Sequence, residues 1–166
     1  ACLLNSAEDI GNAGPDYKYG YGRVNSLRAV RAIEENRYLS DSVDQAEVNT
    51  HNIVVPSGVR QLRVMVNWLD EPGSATAAIA LINNMDMTVT DPSSAIYQPW
   101  VLNPTPNATT LNNPAVRGLD TLNSMEQVTI DDPAAGTYTV TVTGTAIPVG
   151  PQKYYLVYEF RTDRKS

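Results

Sequence analysis

A single cysteine stands in 166 residues, so the chain can close no disulfide within itself and build no multi-cysteine metal cage. Cys2 reads as a small buried apolar residue of an opening helix. Basic residues are in the minority: 12 lysines and arginines against 18 aspartates and glutamates, a net charge of −6. Nucleic-acid binding needs a basic face, and this balance supplies none. No apolar run approaches the roughly 20 residues that span a bilayer as a helix, and no stretch has the pattern of a signal peptide. Charged residues are only 18% of the chain, whereas Thr, Asn, Ala and Val are plentiful. That composition suits an extracellular β-rich protein better than a cytosolic helical one. The length allows one ordinary domain with an appendage.

Two different periodicities divide the chain. In residues 1–36 an apolar run (Cys2, Leu3, Leu4) leads into a loop punctuated by Gly11, Gly14 and Pro15, then a Tyr19-Gly20-Tyr21-Gly22 passage. Asn25 stands at a helix N-cap, where its side-chain oxygen can accept from amides of the next turn. Val24, Leu27, Val30 and Ile33 form one stripe of an amphipathic helix. This stripe is expected to be buried, on the rest of the chain or against a second copy, because an isolated helix so short is marginal.

From residue 37 the helical period is lost. Leu62, Val64, Val66 and Trp68 alternate with Arg63, Met65 and Asn67, which predicts a strand with one buried face. Tyr138 to Val142 alternates likewise, and Lys153 to Phe160 is rich in aromatic and branched residues. Weaker strands are expected over Ala46–Val55, Asp86–Thr90, Ala95–Val101 and Gln127–Ile130. Asp91-Pro92-Ser93-Ser94 and Asp131-Asp132-Pro133 mark turns. Some eight strands without helices between them predict a mainly β fold, a jelly-roll β-sandwich or barrel over residues 37–166. Leu102–Leu122, with Pro104, Pro106 and Pro114, reads as a surface excursion, with disorder the plainer expectation.

Both halves resemble a known family. The opening A-x-L-L-N-x-A, then G-P-D-Y-x-Y-G-Y-G-x-V-N and A-V, resembles the last two helices of a subtilisin-like serine protease (subtilase, peptidase S8) catalytic domain, downstream of its nucleophilic serine. Val64 to Pro72, Asn83 to Pro92, Gln98 to Leu102, Met125 to Ile130 and Ala135 to Val142 are similar, in the same order, to the P-domain-like β-domain that follows the catalytic domain in bacterial subtilases. The resemblance implies a helical remnant of an α/β protease at 1–36, a jelly roll packed on the side of that protease, and secretion. The implied partner is the catalytic subtilase domain of the same polypeptide, with self-association through the orphaned helix as another outcome.

The catalytic motifs of that family are not in this sequence. The G-T-S-M-A-like serine string and the Gly-flanked Asp and His motifs are missing, and the only histidine, His51, lies in an alternating run. The chain is therefore expected to serve as a non-catalytic accessory domain, stabilising the protease or assisting substrate binding. A carbohydrate- or surface-polymer-binding module is the alternative, since fold does not decide function. Such a platform would need exposed aromatics; Trp68 is expected in the core, and one of Tyr154 and Tyr155 must face outward. Oxygen donors gather at expected strand ends, and Asp86, Asp120 and Glu126 are the candidate ligands of a Ca²⁺ ion, which proteases of this kind often bind. No contiguous Asp-rich loop supports them, and the same residues serve turns without metal.

Overall fold

In the computed structural model, which describes residues 1–162, two helices precede ten strands. These are α1 (Cys2–Asn5), α2 (Ser26–Glu34), β1 (Tyr38–Val43), β2 (Val48–Val55), β3 (Gln61–Trp68), β4 (Asn84–Thr90), β5 (Ile96–Tyr97), β6 (Trp100–Val101), α3 (Ala108–Leu111), β7 (Val116–Arg117), β8 (Met125–Asp131), β9 (Gly136–Ala146) and β10 (Gln152–Arg161). One four-stranded sheet runs β1-β10-β3-β8 and the other β2-β9-β4-β5, all pairs antiparallel. The chain changes sheet at β1 to β2, β2 to β3, β3 to β4, β8 to β9 and β9 to β10, which is the weave of a jelly roll.

The core lies between the sheets. Leu62, Val64, Val66 and Trp68 of β3 meet Tyr138, Val140 and Val142 of β9 and Met85, Met87 and Val89 of β4, all buried. Each such side chain contributes roughly 1.5–3 kcal/mol on leaving water. The Trp68 indole does not strand its polar atom, because Nε1 donates to the Asn83 carbonyl at 2.9 Å.

Four expectations are corrected. β3 is buried on both faces rather than one, since Arg63 and Met65 are as inaccessible as Val64. Residues 102–122 are neither disordered nor featureless: β7 pairs with β6, and Asn107 caps α3 by accepting from Thr109 and Thr110 N–H. The strand expected over Ala95–Val101 is split at Gln98-Pro99 into β5 and β6, in different sheets. Cys2 is half-buried rather than buried. The polar edge strand β1, Tyr-Leu-Ser-Asp-Ser-Val, carried too little alternation to be recognised from sequence.

Candidate functional site

Residues 1–35 cover the outer face of the sheet containing β3, β8 and β10. The attachment is polar and buried. Asn5 Nδ2 donates to the carbonyls of Arg63 (3.5 Å) and Val157 (3.4 Å), and Asn5 Oδ1 accepts from Gln127 Nε2 at 3.0 Å. Where α1 ends, two guanidiniums converge on one carbonyl: Arg63 Nη1 and Arg161 Nη2 donate to Ala7 O at 2.8 and 2.6 Å. Glu159 lies beside them, 3.3 Å from Arg161 and 3.6 Å from Arg28 of α2. Burial, and then the like charge of Arg161, pull Arg63 down to about 10, so it still carries its proton at neutral pH. The sequence offered one unused signal for this seam: a charged Arg63 inside an otherwise apolar strand.

The rest of the segment is shaped by short-range chemistry. Asp16 accepts from the amides of Asn12, Lys18 and Tyr19 at 2.7–3.1 Å, closing the loop on itself. Burial raises the Asp16 carboxyl, and these three amides together outweigh it, so its pKa lies below the ordinary value. Gly22 is held at φ +105°, where a Cβ would sit 2.0 Å from the Glu8 carbonyl, so only glycine fits. Asn25 Oδ1 accepts from Arg28 N at 3.1 Å, the N-cap expected from the sequence.

The helix buries the opposite side from the one expected. Ala29 and Ala32 are buried, whereas Val24, Leu27, Val30 and Ile33 are 62%, 60%, 48% and 51% exposed. The apolar stripe therefore does not hold the segment to the sandwich; the Asn5, Arg63 and Arg161 seam and the two alanines do. Leu3, Ile10, Tyr17 and Tyr19 extend the exposed apolar face. The excursion flanks the same sheet. Trp100 Nε1 donates to Thr129 Oγ1 at 3.0 Å, the Arg117 guanidinium stacks 3.5 Å from the indole centroid, and Gly14 packs against that ring. By contrast, the outer face of β2, β9 and β4 carries Thr50, Asn52, Thr139, Thr141 and Thr88, with Val48 and Val54 exposed among them.

The candidate calcium residues are placed as follows. Asp120 spends its carboxylate on its own turn, accepting from Leu122 N (2.9 Å), Asn123 N (3.1 Å) and Asn123 Nδ2 (2.7 Å). Glu126, 1% exposed, reaches from β8 to the free edge of β4, where Oε2 accepts from Met87 N at 2.5 Å. Asp86 Oδ2 accepts from the Thr145 hydroxyl. The other oxygens, Glu126 Oε1, Asp86 Oδ1 and Asn84 Oδ1, are buried and have no hydrogen-bond partner. Burial first, and then the charges of Asp86 and Asp120 against the amides of Met87 and Asp120, push the Glu126 carboxyl up to about 9. Burial and the charges of Asp120 and Glu126 push Tyr21 to about 12. Among the described residues no three acidic, histidine or cysteine side chains form a metal-ligating group. The unpartnered oxygens belong to Asn84 and Asp86 of β4 and Glu126 of β8, and none to Asp120.

No site of covalent catalysis is built around the imidazole. His51 Nε2 lies 2.7 Å from the Tyr154 hydroxyl and 3.8 Å from Asp41 Oδ2. Burial lowers its pKa, with Asp41 opposing. Both tryptophans are engaged, Trp68 in the core and Trp100 under Arg117. Tyr154 is buried and Tyr155 exposed, as strand alternation requires.

A jelly roll with one sheet face open to solvent and the other clothed by its own N-terminal segment defines a β-sandwich domain. Residues 47–144 match the family model of the bacterial pre-peptidase C-terminal domain, and the chain belongs to that family. The match runs from the turn before β2 into β9, leaving α1, α2, β1 and β10 outside it. Among curated relatives, the serine protease/ABC transporter B family protein tagA of Dictyostelium discoideum is 24% identical over 170 residues, 95% of this chain and 9% of that protein. Its counterpart tagB from the same organism is 34% identical over 95 residues, 55% of this chain and 5% of that protein. The chain thus spans less than a tenth of either. Among solved structures, the Bacillus licheniformis lipase BlEst2 in propeptide form has a TM-score of 0.39 at 13% identity, covering 74% of this chain and 21% of that one. The Aeromonas hydrophila periplasmic inhibitor of g-type lysozyme, PliG, has 0.35 at 14%, covering 74% and 84%. Likeness at that level carries no functional argument. No helix among the described residues is long and apolar enough to cross a membrane.

Proposed function

We propose that this chain is the non-catalytic C-terminal accessory domain of a secreted subtilisin-like serine endopeptidase, and that it stabilises the catalytic domain of the same polypeptide by packing against it. The observation that carries this reading is the two-sided N-terminal segment. One side is fixed to the sandwich through Asn5, Arg63 and Arg161, and the other presents Val24, Leu27, Val30 and Ile33 to solvent. Four such side chains left in water forgo roughly 1.5–3 kcal/mol each, which a protein surface completing the helix layer would recover. Curated relatives named as serine proteases, of which this chain matches a small part, supply the kind of partner. The subtilase likeness of residues 1–34 supplies its class.

The test uses the full-length protease. Leu27→Asp with Val30→Asp is expected to shorten its half-life at elevated temperature several-fold. The same pair should leave the melting of the isolated 166-residue chain nearly unchanged, because both positions are exposed there. Equal half-lives for wild type and variant would overturn the reading. If instead the isolated chain sediments as a dimer that the two aspartates dissociate, the stripe serves self-association.

A further inference from the structure

Three buried oxygens in one place have nothing to bond to. Asn84 and Asp86 are two residues apart on β4, hence on the same side of the strand, while Met85 and Met87 enter the core. Glu126 abuts the Asp86-Met87 peptide, since its Oε2 is bonded to the Met87 amide. What remains, Asn84 Oδ1, Asp86 Oδ1 and Glu126 Oε1, is unpartnered. A buried acceptor without a donor costs about 1–3 kcal/mol, more when charged. Three unpartnered acceptors, with Asp86 near enough for its charge to act on the Glu126 carboxyl, are satisfied either by a bound cation or by a proton held on Glu126.

We propose that Asn84, Asp86 and Glu126 form a calcium seat that closes the seam between β4 and β8, water completing the shell. Oxygen-only donors with two carboxylates suit a hard divalent ion that takes six to eight oxygens in flexible geometry. The seat lies where the two sheets part. β4 has a partner on this side only at Val89 and Thr90, through β5, so its edge from Asn84 to Thr88 is open. An ion there would tie β4 of one sheet to β8 of the other. Asp120 is not a ligand in this scheme, because its carboxylate already closes the Leu122–Asn123 turn. The inference is independent of the protease reading: it concerns the sandwich alone.

The experiment is thermal unfolding of the whole chain, after chelation, against calcium chloride up to about 10 mM, beyond the weakest affinities usual for extracellular calcium modules. Calcium is expected to raise the melting temperature by several degrees in a saturable manner, as binding to the native state requires. Glu126→Gln and Asp86→Asn are expected to fold and to lose that increment, and Asp120→Asn to keep it. Terbium, a calcium stand-in, should luminesce on wild type under aromatic excitation and be displaced by calcium. No shift across the range, with Glu126→Gln as stable as wild type or more so, would overturn the proposal and leave a proton between the carboxyls. An equal increment surviving in Glu126→Gln and Asp86→Asn would overturn it by placing calcium elsewhere.

Discussion

Asn5→Ala tests whether the N-terminal segment and the sandwich are one cooperative unit. Asn5 is 1% exposed and lies on α1, yet all three of its bonds go to the sandwich. The two donated bonds, at 3.5 and 3.4 Å, are long and together contribute at most about 1 kcal/mol. The accepted bond matters more. Gln127 is 3% exposed, so removing the Asn5 carbonyl strands an amide donor in a dry seam, at a cost of about 1–3 kcal/mol. The expected loss is therefore about 2–4 kcal/mol, a large part of a stability that for most domains is about 5–15 kcal/mol. Because the seam lies over β3, β8 and β10, the loss should appear as one shifted urea transition. Amide exchange should quicken in α1 and β10 alike. Gln127→Leu in the Asn5→Ala background removes the stranded donor, so the double variant should be more stable than the summed single costs imply, by about 1 kcal/mol or more. Additive costs, or faster exchange confined to residues 1–35 over an unaltered sandwich, would refute the reasoning and support a boundary near Asn36.

Two further outcomes follow from the same structure. Asp16 has a carboxyl pKa lowered in the fold, so it contributes stability that is fully present above its unfolded value and is lost as pH falls through the lower folded one. Asp16→Asn should therefore flatten the acid limb of the stability curve below about pH 4, and an unchanged limb would show that the three amide bonds are not made. The isolated chain should hydrolyse no generic protein substrate; turnover that co-purifies with it and is blocked by a serine-directed reagent would contradict the reading of His51 as a strand residue bonded to Tyr154.

The parts of the fold legible in the sequence are those governed by short-range pattern. Period two at Leu62–Trp68 and Tyr138–Val142 marks strands because a pleated chain sends alternate side chains to opposite faces. Asn25 marks a helix start because a capping oxygen must lie within reach of the first turn. The interface was illegible for the opposite reason. Arg63 reads as the solvent side of an alternating strand, and nothing local announces that Ala7, 56 residues earlier, will bring a carbonyl to it. Likewise Val24, Leu27, Val30 and Ile33 form the more hydrophobic stripe, yet small Ala29 and Ala32 face the sandwich because they admit close approach of helix to sheet. The segment thus holds to the sandwich through its alanines and the buried guanidiniums, while its large aliphatics stay exposed.

The same logic orients the domain. A free-standing jelly roll would be expected to wet the outer faces of both its sheets, with threonine and asparagine on each. Here the β2-β9-β4 face is open, with threonine and asparagine beside exposed Val48 and Val54, while the outer face of β3, β8 and β10 carries Met65, Gln127, Thr129 and Val157, all buried. The layer that buries them ends in exposed Leu27 and Val30 rather than in charge. Exposed aliphatic side chains therefore occur on both sides of the molecule, as the N-terminal stripe on one and as Val48 and Val54 of β2 on the other. Hydrophobic burial is roughly proportional to area and has no direction of its own. The N-terminal stripe is the larger group, Val24, Leu27, Val30 and Ile33 against two valines on β2, and on the proposed reading it marks the side that a catalytic domain would cover. A calcium ion between β4 and β8 would leave that face free, so its effect and the partner's should add rather than compete.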